Sequence, residues 1–153
     1  MYKGITENFR LVDGAIVNVV KPSKIKGSSN VSVKTHFPHF NEVFIEVFKG
    51  PEFEKLGHKQ AEMLVNTEFT ISKEHSRMAY QLDQIISNKM DPIITSLVLP
   101  GTVQLTPSGK LIVLMRDCQT TGGYPRILQL NENGINRLSQ KNTGQKIRFL
   151  LRD

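Results

Sequence analysis

From Val43 onward, this chain breaks its apolar residues into eight or nine runs of strand length, separated by Gly, Pro and polar turns. Val43–Phe48, Phe69–Ile71, Arg77–Asp83, Thr102–Thr106, Leu111–Met115, Ile127–Leu130 and Lys146–Leu151 predict strands, with shorter apolar segments at Ile85-Ile86 and Ile93–Leu99. Pro51 suits the first turn of a helix. Phe53, Leu56, Met63 and Leu64 then mark one or two short helices, broken near Gly57, and Asn131–Gln140 marks another. Strands do not alternate with helices, so no parallel sheet is expected. The pattern predicts a mainly β fold with two or three short helices. A closed antiparallel barrel suits it, because closure leaves no exposed sheet edge.

The stretch Leu111–Arg126 (Leu-Ile-Val-Leu-Met-Arg-Asp-Cys-Gln-Thr-Thr-Gly-Gly-Tyr-Pro-Arg) carries the strongest site signal. Its first five residues are apolar with a β-branched centre, which predicts a strand buried on both faces. Asp117 to Pro125 is polar and glycine-rich. Gly122 and Gly123 permit φ > 0, a conformation in which successive N–H groups converge on one point. Gln119, Thr120 and Thr121 add side-chain donors and acceptors, and Tyr124 adds a ring with a hydroxyl. Asp117 follows an apolar strand, where a carboxylate needs partners. Pinning the loop and acting as a base are its two candidate roles. A hairpin loop that binds nothing fits the same residues.

Arg77 precedes a run in which Met78, Tyr80 and Leu82 share one strand face and Ala79, Gln81 and Asp83 share the other. With the first set in the core, Arg77 faces a surface or a cavity, and its planar fork can grip a carboxylate. Cys118 as a nucleophile would need an adjacent base, and His36, His39, His58 and His75 cannot be placed beside it from spacing. His36 and His39 lack the companions of a metal site, so none is expected. Ser108-Gly109-Lys110 resembles the end of a phosphate-binding loop. Gln104 stands where that motif requires glycine, and a turn between two strands is the wrong setting.

Net charge is +6, but the lysines and arginines are dispersed, with no basic helix or aromatic-interleaved basic strand; nucleic acid is not an expected partner. The only cysteine cannot form an intramolecular disulfide, which fits a reducing compartment. No apolar run reaches the ~20 residues needed to cross a bilayer, and the first residues lack a signal-peptide core, so a cytoplasmic location is expected. Pro22–Asn30 reads as a flexible linker. Residues 1–40 are therefore expected to be a leader and linker, and 41–153 the barrel domain.

Asp117-Cys118-Gln119-Thr120-Thr121-Gly122-Gly123-Tyr124-Pro125 resembles the D-x-Q-T-T-G-G-Y-P signature of the allophanate hydrolase subunit 2 family, also described as biotin-dependent carboxyltransferase. Ser76-Arg77-Met78-Ala79-Tyr80-Gln81-Leu82 is similar to its D-R-M-G-Y-R-L, with Ser76, Ala79 and Gln81 departing from it. Gly101-Thr102-Val103-Gln104 and Pro107-Ser108-Gly109-Lys110 resemble its G-T/A-I/V-Q-x-x-P-x-G-x turn. The similarity runs from about Val43 to Leu151.

The resemblance implies a cyclophilin-like β-barrel, usually one of two lobes, with this chain corresponding to the second and residues 1–40 to a leader or a remnant of the first. It implies a partial subunit of a 5-oxoprolinase or allophanate hydrolase type complex acting on a small amide, lactam or urea-like substrate. The chemistry would be that of a hydrolase or carboxyltransferase needing partner subunits, among them a subunit 1-like barrel protein. A second reading within the family is a non-catalytic regulator that binds a related barrel protein and so antagonises a kinase inhibitor. No covalently bound cofactor is implied; ATP or carrier-linked biotin would come through the partners. Asp117, Gln119 and Thr121 are the implied catalytic residues. Arg77, Thr120, Gly122, Gly123 and Tyr124 are the implied substrate-binding ones.

Overall fold

The computed structural model describes residues 42–152. The expected leader, the Pro22–Asn30 linker, His36 and His39 lie outside them. Among the described residues nine strands form in chain order: β1 Phe44–Lys49, β2 Phe69–His75, β3 Ala79–Ile85, β4 Ser96–Leu97, β5 Thr102–Leu105, β6 Lys110–Leu114, β7 Thr121–Gly122, β8 Arg126–Leu130 and β9 Lys146–Leu151. Two helices, α1 His58–Asn66 and α2 Glu132–Ser139, and a 3-10 turn at Phe53–Lys55 complete the set. Gly57 is the residue before α1, so the predicted break falls where extended backbone gives way to helix geometry. Asn131 caps α2 by accepting a hydrogen bond from Gly134 N at 2.7 Å.

Seven strands close into a barrel in the order β1-β8-β5-β6-β3-β2-β9, with β9 returning to β1. The closed, mainly β barrel is therefore the fold. One expectation is corrected: β1 and β9 pair in parallel. A ring with an odd number of strands cannot alternate direction all the way round, so one parallel seam is obligatory. Inside lie Ile45, Val47, Phe69, Ile71, Leu82, Val103, Leu105, Leu111, Val113 and Phe149, all at most 2% exposed. Removal of these side chains from water supplies the main drive to fold.

The predicted run Leu111–Met115 is buried on both faces except at Ile112, which is half-buried, and β5 goes further, with all four of its residues buried. Val103 and Leu105 belong to the apolar core, while Thr102 and Gln104 are buried polar residues. The small β4–β7 sheet closes over this polar face: a Cβ added to Gly122 would stand 2.5 Å from Gln104 Nε2. The residues after β6 therefore do not project as a free hairpin but run along β5 to reach β8. Leu105 N donates to Pro125 O at 3.0 Å, and Gln104 pairs in register with Arg126.

Candidate functional site

Arg77 lies in the turn between β2 and β3, just ahead of the strand that was expected to contain it. Met78 is also outside the strand and is 54% exposed, while Tyr80 and Leu82 are buried as expected. The turn is held by Ser76, whose hydroxyl accepts from Met78 N at 3.1 Å and whose N–H donates to Ala79 O at 2.9 Å. Met115 N donates to Met78 O and Asp117 N to Arg77 O, at 2.9 and 3.0 Å, so the turn and the start of the glycine loop are laced together by backbone.

Side chains complete the contact. Arg77 Nε donates to Asp117 Oδ2 at 2.7 Å, and Nη2 donates to Oδ1 at 3.2 Å. Both carboxylate oxygens are engaged by the guanidinium, so Asp117 and Arg77 form a two-point fork. The rest of the Arg77 guanidinium faces solvent. Next to Asp117, Arg116 turns the other way and pairs with Glu132 at the start of α2, which anchors the loop to the helix.

Gln119, Thr120, Thr121 and Tyr124 are exposed, and Gly122 and Gly123 are half-buried. Seven of the expected site residues thus share one loop, and the eighth, Arg77, is bonded to its first member. The glycine argument is corrected. Neither Gly122 nor Gly123 has positive φ; the described glycines that do are Gly101, Gly109 and Gly144. Gly122 is instead extended in β7, paired with Ser96, and a Cβ there would displace the end of the Gln104 side chain. Val98 N donates to Thr120 O at 3.0 Å and Ile93 N to Gly123 O at 2.8 Å. No nest of converging amides forms. Both bonds engage carbonyls of the loop, and the side chains of Gln119, Thr120 and Thr121 face solvent on it.

Two residues that spacing does not reveal fix the far end of the loop. Arg126 grips Glu52 through Nε at 3.0 Å and Nη2 at 2.8 Å, and its own N–H donates to Glu52 Oε2 at 2.9 Å. Arg126 Nη1 also donates to Leu97 O at 2.9 Å, tying β4 to the same post. The Arg126 and Glu52 side chains are 18% and 11% exposed. The hydrogen bond from Arg126 holds the Glu52 carboxyl below its ordinary range, against burial, which pushes the other way. Gln104 is a third such residue: 2% exposed, it donates from Nε2 toward Tyr124 O at 3.5 Å. Its signal in the sequence is the Gly101-Thr102-Val103-Gln104 resemblance, which gives the residue but not its place under the loop.

Cys118 is half-buried, and burial pushes its thiol up, which disfavours the thiolate a nucleophile needs. Among the described residues no group of three His, Cys, Asp or Glu side chains could hold a metal ion. Among them, too, no helix is long and apolar enough to cross a membrane.

The model of the carboxyltransferase domain, subdomain A and B, matches residues 3–151. The C subunit of 5-oxoprolinase from Escherichia coli is 36% identical over 108 residues, spanning 69% of this chain and 35% of that protein. Its namesake from Haemophilus influenzae is 30% identical over 107 residues, with 69% and 35% covered. The chain thus spans about a third of the length of the curated relatives it matches. The crystal structure of the K. lactis urea amidolyase shares the fold with a TM-score of 0.64 at 15% identity, over 72% of this chain and 7% of that one.

Proposed function

Because this chain belongs to the carboxyltransferase domain family, subdomains A and B, we propose that it is one cytoplasmic part of a 5-oxoprolinase-type complex. The substrate is a small amide, lactam or urea-like molecule, and partner subunits, including a second barrel protein, complete the active assembly. The observation that carries this reading is the Arg77–Asp117 contact. It joins the two segments with the strongest family resemblance, which are far apart in sequence, into one exposed polar face.

On that face Arg77 binds a substrate carboxylate, with Asp117 fixing its direction. Gln119 and Thr121 polarise the reacting carbonyl, Thr120 positions it, and the Tyr124 ring packs on a flat substrate. Gly122 lets β7 lie close to Gln104 of β5. The face does not fit a nucleotide: its glycines make no phosphate nest, and no lysine stands in the loop. ATP or carrier-linked biotin is accordingly handled by the partners.

A second reading, a regulator that binds another barrel protein without turnover, is favoured by one feature. Ile94 is 93% exposed and Leu97 63%, beside the loop. The test is turnover by this chain with its co-purifying partners, given ATP and 5-oxoproline in one arm and a biotinylated carrier with urea in the other. Conversion in either arm supports the enzyme reading and picks the branch. A stable complex inactive in both supports the regulator.

A further inference from the structure

A cavity of about 830 Å³ opens between the Glu52–Gln60 segment and the Ser87–Ile94 segment, with Ser96 and Pro125 on its wall. It contains neither Arg77 nor any residue from Asp117 to Tyr124, so it is separate from the face described above. Its walls are braced. Gln60 Nε2 donates across it to Ser87 O at 3.3 Å. Asn88 Nδ2 donates to Ile86 O and Thr106 O at 3.1 and 3.2 Å, and its Oδ1 accepts from Met90 N at 3.0 Å.

Charge and shape define what such a cavity takes. Glu52 is already neutralised by Arg126. Lys55, Lys89 and Asp91 are the other charged groups on the wall, and among the described residues none of them has an ion-pair partner within 4.0 Å. Lys55 lies close enough to Glu52 to help lower its carboxyl but makes no contact pair with it. Two ammonium groups against one free carboxylate leave a single positive charge to be balanced. Leu56, Met90, Pro92 and Ile93 supply an apolar surface beside them. A phosphate dianion would overcompensate and be repelled by Asp91, whereas a monoanion matches.

We propose that this cleft binds a small monocarboxylate with an apolar body, the carboxylate held by Lys55 and Lys89 and the body against Leu56 and Ile93. The cleft lies one hydrogen bond from the glycine loop, through Ile93 N and Gly123 O at 2.8 Å.

The test is an amide NMR titration of the full chain with hexanoate, with hexanamide and inorganic phosphate as parallel probes. Hexanoate is expected to give saturable shifts at Leu56, Gln60, Asn88 and Ile93, weakened by salt, with hexanamide and phosphate each binding at least about fivefold more weakly. Lys55→Gln and Lys89→Gln, each exposed and therefore neutral to folding by thermal melt, should each weaken hexanoate by about fivefold. Absence of saturable shifts overturns the proposal. So does equal binding of hexanamide or phosphate, or wild-type affinity in the K55Q/K89Q double variant. None of these outcomes bears on turnover at the Arg77 face, so the two assignments stand or fall separately.

Discussion

Arg77 and Asp117 stand 40 positions apart in sequence and meet through two hydrogen bonds at 2.7 and 3.2 Å. Their side chains are 84% and 47% exposed. Water screens such a pair, so it contributes little to folding. Arg77→Ala should therefore melt within about 2 °C of wild type, as thermal denaturation followed by circular dichroism will show. A large drop in melting temperature would make the pair a structural tie rather than part of a binding face.

Glu52 and Arg126 make the opposite case. Removing one partner leaves the other buried without a counter-charge, so Glu52→Gln should cost about 1–3 kcal/mol at pH 7. The Glu52 carboxyl is held below its ordinary value of 4.5, first by the Arg126 hydrogen bond. A depressed folded-state pKa gives stability that is present above the unfolded value and is lost as pH falls through the folded one. Urea melts should show the wild type well above E52Q at neutral pH, with the gap narrowing as pH drops below about 4.5. A gap that is constant with pH would contradict this.

The strands are legible because their signals are local: alternation in Phe69–Ile71 and in Lys146–Phe149, an apolar run in Leu111–Met115, breakers between them. Barrel closure follows from their number. The parallel β1–β9 seam is not legible, because it depends on how many strands join the ring and not on any one of them. Alternation of Tyr80 and Leu82 extends the expected strand back to Arg77. In the fold the alternation stops at Met78, where the Ser76 turn takes over the hydrogen bonds. Paired glycines such as Gly122 and Gly123 usually signal dihedral freedom. Here the advantage is room for the end of the Gln104 side chain beside Gly122, a contact made only once β5 and β7 are in place. Glu52 leaves no trace in the sequence, since its partner lies 74 residues away.

Two other glycines separate backbone strain from steric crowding. Gly101 and Gly144 have φ of 87° and 83°. A Cβ at Gly101 would meet Leu130 O and Gln129 Nε2 at 2.8 Å, whereas one at Gly144 meets nothing within 4 Å. Gly144→Ala should cost about 1 kcal/mol, from dihedral strain alone, and Gly101→Ala clearly more, about 2–4 kcal/mol. Chemical denaturation of both variants checks the order, and equal losses would show that crowding at Gly101 is relieved by movement.

Cys118 sits inside the glycine loop, yet its thiol is pushed up, first by burial, with Asp117 adding to the effect against a backbone hydrogen bond. Iodoacetamide at neutral pH should therefore alkylate it more slowly than a free thiol, and Cys118→Ser should leave turnover in the reconstituted complex unchanged. Fast labelling, or a large loss of turnover in C118S, would restore a nucleophilic role.

On the proposed function, substrate is handled at the face built by Arg77, Asp117 and the Gln119–Tyr124 rim. The most direct measurement compares kcat/KM for wild type, Arg77→Ala and Thr121→Ala in the complex reconstituted with co-purifying partners, on whichever substrate wild type turns over. Both variants should assemble and melt like wild type yet fall by at least about 100-fold. Wild-type rates from correctly assembled R77A and T121A complexes would show that the chemistry happens elsewhere.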